Sequence, residues 1–235
     1  MKITRFSDYT SMSEHAAQII IEDLKQKNNL RLGAATGGSP TGMYAELTKA
    51  YQSNPALFDD LQVIKLDEWG IIPMSHPDSC QSYLKKHLLE PLQIPAQRYE
   101  EFDTTNPDFS AECKRIQDSI DENGSLDIVI LGLGKNGHIG FNEPADNLQV
   151  DCHKAILAES TIQHDPALSQ GAEPAFGLTL GLRSILQAKK IIFLVTGSGK
   201  QDAIQQFMER KISTHLPASF LWLHPNVECL INENA

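Results

Sequence analysis

Residues 131–144 read LGLGKNGHIGFNEP and bring together a histidine, His138, and a carboxylate, Glu143, the latter in an Asn142-Glu143-Pro144 turn. Imidazole titrates nearest neutrality, and a carboxylate beside it can stabilise the protonated ring, so the pair can move protons near pH 7. The glycines Gly132, Gly134, Gly137 and Gly140 around it suggest backbone lying close to a ligand.

Three further stretches carry polar groups of the same kind. Thr36-Gly37-Gly38-Ser39-Pro40 sits between an apolar run and a helical pattern; free amides at such a start, with glycines allowing close approach, form a phosphate-sized anion site. It matches neither a Walker loop nor a GxGxxG fingerprint, which disfavours a nucleotide. Asp67-Glu68-Trp69 places carboxylates just past another apolar run, where partial desolvation can tune a general base. Gly197-Ser198-Gly199-Lys200 puts a lysine at a helix start, an unfavourable place for a cation unless an anion binds there. Each has a plainer alternative: a βα turn capped by Ser39, solvated acids at a strand end, a structural histidine, an exposed lysine.

The elements that must position these groups alternate along the chain. Strands are expected at Met1–Phe6, Leu30–Ala35, Leu61–Leu66, Leu126–Leu133, Ala175–Leu180, Ile191–Thr196, Ala218–Leu223 and Val227–Ile231. Helices are expected at Ser13–Lys27 with Ser7-Asp8 as the cap, from Pro40 through Leu47, at Asp78–Leu89, at Pro107–Glu122, and through Ala203, Phe207 and Met208. This order implies an α/β fold: an open, mostly parallel sheet with helices on both faces. Strand ends of one parallel sheet converge at its carboxyl edge, so the four stretches describe one pocket. No repeat or linker-like shift divides the chain, and residues 1–235 are expected to form a single domain.

A net charge of −10 argues against nucleic-acid or membrane-surface partners, which need a basic face. The four scattered cysteines, Cys80, Cys113, Cys152 and Cys229, read as reduced thiols. No apolar run approaches membrane-spanning length and no signal-peptide pattern opens the chain, so a cytoplasmic protein is expected. The eight histidines contain no HxH or HExxH pair, and no metal site is expected.

The stretches TGGSP, KLDEW, LGLGKNGHIGFNEP and VTGSGKQ, in this order and spacing, resemble the amino-sugar-phosphate deaminase/isomerase family, which shares its fold with 6-phosphogluconolactonase. The resemblance covers essentially the whole chain. It is strongest to the galactosamine-6-phosphate isomerase branch, through LDEW, LGLGKNGH, the stretch Thr161–Asp165, VTGSGKQDA and STHLPASFLWLHPNVECLIN. It implies a modified Rossmann-like fold and a hexosamine 6-phosphate as small-molecule partner, with no cofactor. The implied reaction opens the ring, isomerises aldose to ketose and releases ammonia hydrolytically, taking galactosamine 6-phosphate to tagatose 6-phosphate. By that resemblance Asp67 moves the proton from C2 to C1, His138 assists ring opening, and Glu143 orients or charge-stabilises the histidine. The amides of Gly37, Gly38 and Ser39, the Thr36 hydroxyl and Lys200 hold the phosphate.

Two positions depart from the family pattern. Many glucosamine-type members carry an aspartate where this chain has Asn136, which can orient an imidazole by hydrogen bonding but cannot stabilise it by charge. A phosphate-binding arginine is expected within Ala155–Leu182, yet that span has neither Arg nor Lys, and His164 is its one group able to become cationic. The alternatives are glucosamine-6-phosphate deaminase, then the lactonase, then a non-catalytic sugar-phosphate sensor. The lactonase typically has an arginine where Trp69 stands and lacks the NEP turn. The presence of Asp67, His138 and Glu143 together argues against the sensor. No oligomeric state is assigned.

Overall fold

The computed structural model describes residues 1–70, 72–162 and 175–233. Ten strands form two sheets: β1 (Lys2–Phe6), β2 (Arg31–Ala34), β3 (Gln62–Lys65), β4 (Asp67–Trp69), β5 (Tyr99–Glu100), β6 (Ile128–Gly132), β7 (His153–Ile156), β8 (Phe176–Thr179), β9 (Lys190–Val195) and β10 (Val227–Asn232). The larger sheet runs β1-β10-β9-β6-β2-β3-β5, and each neighbouring pair in it is parallel. Ile191 to Val195 are buried without a break. Side chains alternate across a strand, so both faces of the sheet are covered at its centre.

The helices that accompany it are α1 (Tyr9–Gln26), α2 (Gly38–Ser53), α3 (Cys80–Leu84), α4 (Phe109–Asn123), α5 (Glu159–Ile162), α6 (Leu182–Leu186) and α7 (Gln201–Met208). Asp8 caps α1 by accepting from the Ser11 amide, and Asp108 caps α4 by accepting from Ala111. The α1 face made of Met12, Ala16, Ile20 and Leu24 packs into the main core with Met43, Tyr44 and Leu47 of α2. From β2 the chain steps to β3 on one side and later returns to β6 on the other. The gap between the carboxyl ends of β2 and β6 is therefore the switch point at which open parallel sheets bind ligands.

Three expectations are corrected. The segment expected as a strand of the parallel sheet at Ala175–Leu180 is β8, but it pairs antiparallel with β4 and β7 in a separate three-stranded sheet, Asp67 facing Thr179 and Trp69 facing Gly177. An apolar run alone does not specify which neighbour accepts its hydrogen bonds. Ala218–Leu223 belongs to a 3₁₀ helix, Pro217–Leu223, begun by a proline whose fixed φ and missing N–H suit a helix start. The expected helix at Asp78–Leu89 begins at Cys80, and its second half, Lys85–Leu89, widens to a π-helical turn. Three strands escape the sequence pattern. β4 is three residues long and follows β3 after Leu66 alone, β5 is two residues long, and β7 buries Ala155 alone among its four residues, so none has a readable periodicity.

Candidate active site

Each polar stretch follows a strand of the larger sheet. After β2 the chain turns through Gly37, whose φ of 93° is open to glycine without strain, into α2. Gly37, not Ser39, is the residue that caps α2, and no side chain satisfies the cap. The first-turn amides therefore have no intrahelical acceptor and are available to an anion. The loop's carbonyls are held from behind. Tyr9 Oη donates to Gly38 O at 2.6 Å, and Tyr83 Oη to Gly37 O at 2.8 Å.

After β3 the two adjacent carboxylates separate. Glu68 turns into the interior, where it accepts from Lys65 Nζ at 2.7 Å and from the amides of Trp69, Cys80 and Gln81 at 2.8–3.0 Å. Both members of the Lys65–Glu68 pair are fully buried. Asp67 is also buried but faces the cleft, with the Cys80 thiol donating a long hydrogen bond to Oδ1 at 3.8 Å. Burial, with Glu68 beside it, pushes the Asp67 carboxyl up to about 7, against a smaller opposing pull from Lys65. Cys80 itself stays a thiol, because burial and the neighbouring carboxylates drive its ionisation far upward.

After β6 the loop bends at Gly137 (φ 89°) and Gly140 (φ 54°). A Cβ at Gly134 would lie 2.5 Å from the His138 ring, so only glycine lets the imidazole rest there. His138 Nδ1 is 3.3 Å from Glu143 Oε2 and 3.3 Å from Thr161 Oγ1, and the Thr161 hydroxyl donates to Glu143 Oε1 at 2.6 Å. Since Thr161's proton is committed to Glu143, the network assigns the ring proton to Nδ1 and leaves Nε2 as an acceptor. Burial alone would raise the Glu143 carboxyl. The His138, Thr161 and Asn136 contacts outweigh it and hold the group below its ordinary value. Asn136 acts on Glu143 and on backbone: Nδ2 donates to Glu143 Oε2 at 2.7 Å, and Oδ1 accepts the His138 amide at 3.1 Å. Its route to the imidazole is therefore indirect, through Glu143.

After β9, Lys200 stands at the start of α7. Burial, and then the charge of Lys135, lower its ammonium to about 8. One cleft is lined by Thr36, Gly37, Gly38, Ser39, Asp67, His138 and Lys200, together with Trp69, Gly134, Phe141 and Thr161. Trp69 and Phe141 pack against each other in its wall, ring centroids 4.4 Å apart and planes tilted by 39°. Glu143 and Asn136 stand behind His138 as its support. The sequence pattern does not mark Thr161, Cys80 or Phe141 as site residues. Thr161 had a weak signal in its family-like stretch, whereas nothing in the spacing of Cys80 marks it as Asp67's neighbour. Gln163, His164 and Asp165 lie outside the described residues. Among the described residues, no group of three or more His, Cys, Asp or Glu side chains could hold a metal ion, and no helix is long and apolar enough to cross a membrane.

Comparison with known proteins follows the same lines. Residues 7–230 match the family described as glucosamine-6-phosphate isomerases/6-phosphogluconolactonase. The chain is 40% identical over 235 residues to the Escherichia coli K12 protein named "Putative deaminase AgaI", covering 98% of this chain and 91% of that one. It is 38% identical to glucosamine-6-phosphate deaminase of Clostridium acetobutylicum, covering 100% and 98%. Among solved structures, a monomeric glucosamine-6-phosphate deaminase described as a missing link of the NagB superfamily superposes with a TM-score of 0.92 at 33% identity, over 99% of this chain and 98% of that one. The 6-phosphogluconolactonase of Trypanosoma brucei, at 22% identity and a TM-score of 0.75, shares the fold.

Proposed function

This chain belongs to the family of glucosamine-6-phosphate isomerases and 6-phosphogluconolactonases, and within it we propose that it converts galactosamine 6-phosphate and water to tagatose 6-phosphate and ammonia. The observation that carries the reading is a buried carboxylate poised near neutrality, Asp67, in the same cleft as a carboxylate-backed imidazole and a glycine-rich anion loop.

The phosphate sits on the amides of Gly37, Gly38 and Ser39, with the Thr36 hydroxyl and Lys200. Holding this unreacting group fixes C1 and C2 against the base, which turns remote binding into rate. His138 Nε2 accepts the proton of the anomeric hydroxyl and returns it to the ring oxygen, opening the ring to an aldehyde. The Glu143 carboxylate balances the transient positive charge that the imidazole then bears. The C2 proton is now acidic, and the Asp67 carboxylate removes it while a proton of the C2 ammonium passes to the C1 oxygen, giving a neutral enolamine. Asp67 then returns its proton to C1 and the nitrogen lone pair forms the C=N bond. The resulting C2 imine is hydrolysed by water, which replaces nitrogen with the ketone oxygen and releases ammonia. A base near pH 7 suits a carbon acid better than an ordinary carboxylate does.

Galactosamine is favoured by the branch-specific stretches around Lys135, Thr161 and Val195. The relatives named for glucosamine make glucosamine 6-phosphate the second reading. The Asn142-Glu143-Pro144 turn and Trp69 weigh against the lactonase. Ammonia release is measured with galactosamine and glucosamine 6-phosphates side by side, with Asp67→Asn as control and a parallel lactonase assay. Release chiefly from the galacto sugar, lost in the variant, is expected. Release only from the gluco sugar overturns the substrate assignment, and lactone hydrolysis alone overturns the reaction.

A further inference from the structure

In a chain of net charge −10 two lysines lie against one glycine turn, Lys200 lining the cleft and Lys135 next to the lining residue Gly134. A Cβ built at Gly197 would lie 3.8 Å from Lys200 Nζ, and one at Gly199 would lie 3.2 Å from Lys135 Cε and 3.5 Å from its Nζ. Gly199 has a φ of 79°, and its missing side chain leaves the groove in which the Lys135 stem lies. Lys135 follows Gly134, a lining residue, and precedes Asn136, whose amide is tied to Glu143. Its backbone is thus anchored to the imidazole support, while its side chain reaches to the Lys200 turn. Among the described residues neither lysine forms an ion pair, although most other lysines there have a carboxylate within reach. The repulsion between them is felt at Lys200, whose ammonium is lowered first by burial and then by Lys135.

Two ammonium groups that share one turn without a counter-ion repel each other, and an anion bound between them relieves that repulsion. Inside the cleft the anion's other partners are the amides at the start of α2, which donate N–H hydrogen bonds but carry only partial charge. The span 155–182 supplies no Arg or Lys. We propose that Lys135 is the second cation of the substrate-phosphate site, clamping the dianion between the glycine loop and Lys200 in place of an arginine. The inference rests on the phosphate assignment made above.

The test measures binding of inorganic phosphate by calorimetry, and KM for the hexosamine 6-phosphate, in Lys135→Met, Lys135→Arg and Lys200→Met. Lys135→Met is expected to weaken phosphate binding roughly fivefold, the scale of one partly exposed charge contact. KM should rise by a similar factor, with the larger part of the effect in KM rather than kcat, and Lys135→Arg should recover most of it. The deficit should shrink as added salt screens the exposed ammonium. Weakening in Lys200→Met with none in Lys135→Met overturns the clamp and leaves the phosphate site intact. Phosphate binding indifferent to both substitutions overturns the site itself.

Discussion

Asp67 and Glu68 are neighbours on one short strand, both buried, yet they live in opposite surroundings. Adjacent strand residues point to opposite faces, so one carboxylate enters the interior and the other the cleft. Glu68 has a buried ammonium and three backbone amides as donors. Two of those amides start α3, so Glu68 also fastens that helix, and with it Cys80 and Tyr83, to the strand. Asp67 has one long thiol contact and a like charge next door. A satisfied buried carboxylate holds structure together. An under-satisfied one stores unfavourable free energy that chemistry can use.

The largest expected effect is that of Asp67→Asn, which should lower kcat/KM by about 10²–10⁴-fold, the usual worth of a positioned general base. Its stability should move the other way. The carboxyl is raised from an ordinary 3.8 to about 7 in the folded protein, so the stability contributed by this group is greatest below about pH 4 and is lost as pH rises from there through 7. At pH 8 the asparagine variant escapes a penalty on the order of a few kcal/mol. Urea unfolding should show a gap in its favour that opens between pH 4 and 7. Equal stability at pH 8 would break the contrast.

Glu68→Gln should do the reverse, leaving Lys65 buried beside a neutral amide with Glu101 Oε2 3.7 Å away. Removing one partner of a buried pair costs about 3–5 kcal/mol, which the denaturation midpoint reads directly. Full stability in this variant would mean that the buried pair is dispensable. Third in size is Glu143→Gln, expected to lower kcat roughly 10–100-fold by weakening a charged hydrogen bond to His138, with little change in unfolding midpoint. An unchanged kcat would remove Glu143 from the proton path. The smallest effect should come from Cys80→Ala. Losing the S–H donor raises the Asp67 carboxyl further, so activity should fall about two- to fivefold at pH 6.5 and hardly at all at pH 8.5. A loss independent of pH would mean that Cys80 fills space and does not tune the base.

The residues of the cleft were legible where a motif ends a strand. Thr36–Ser39, Asp67, His138 and Lys200 all follow strands of a parallel sheet, and the alternation of strands and helices is enough to gather such ends on one edge. The supporting contacts were not legible. Thr161 reaches Glu143 across 18 positions, and Cys80 reaches Asp67 across 13. Asn136 looked like a partner of the ring two residues away, but a tight glycine turn carries its amide to Glu143 instead. Ser39 looked like a helix cap, but the turn at Gly37 takes the cap position and leaves the amides free.

The residue pattern by itself determined the parallel order of elements and the types of group at each strand end, because apolar period, glycine turns and helix starts are local properties of the chain. Only the tertiary structure decided which of two adjacent acids would be neutralised. That choice depends on Lys65, Cys80 and Gln81 arriving around Glu68 while β8 fixes β4 by pairing along its edge. Desolvation and charge pairing are properties of what surrounds a group in space, and sequence neighbours are a minority of that surrounding.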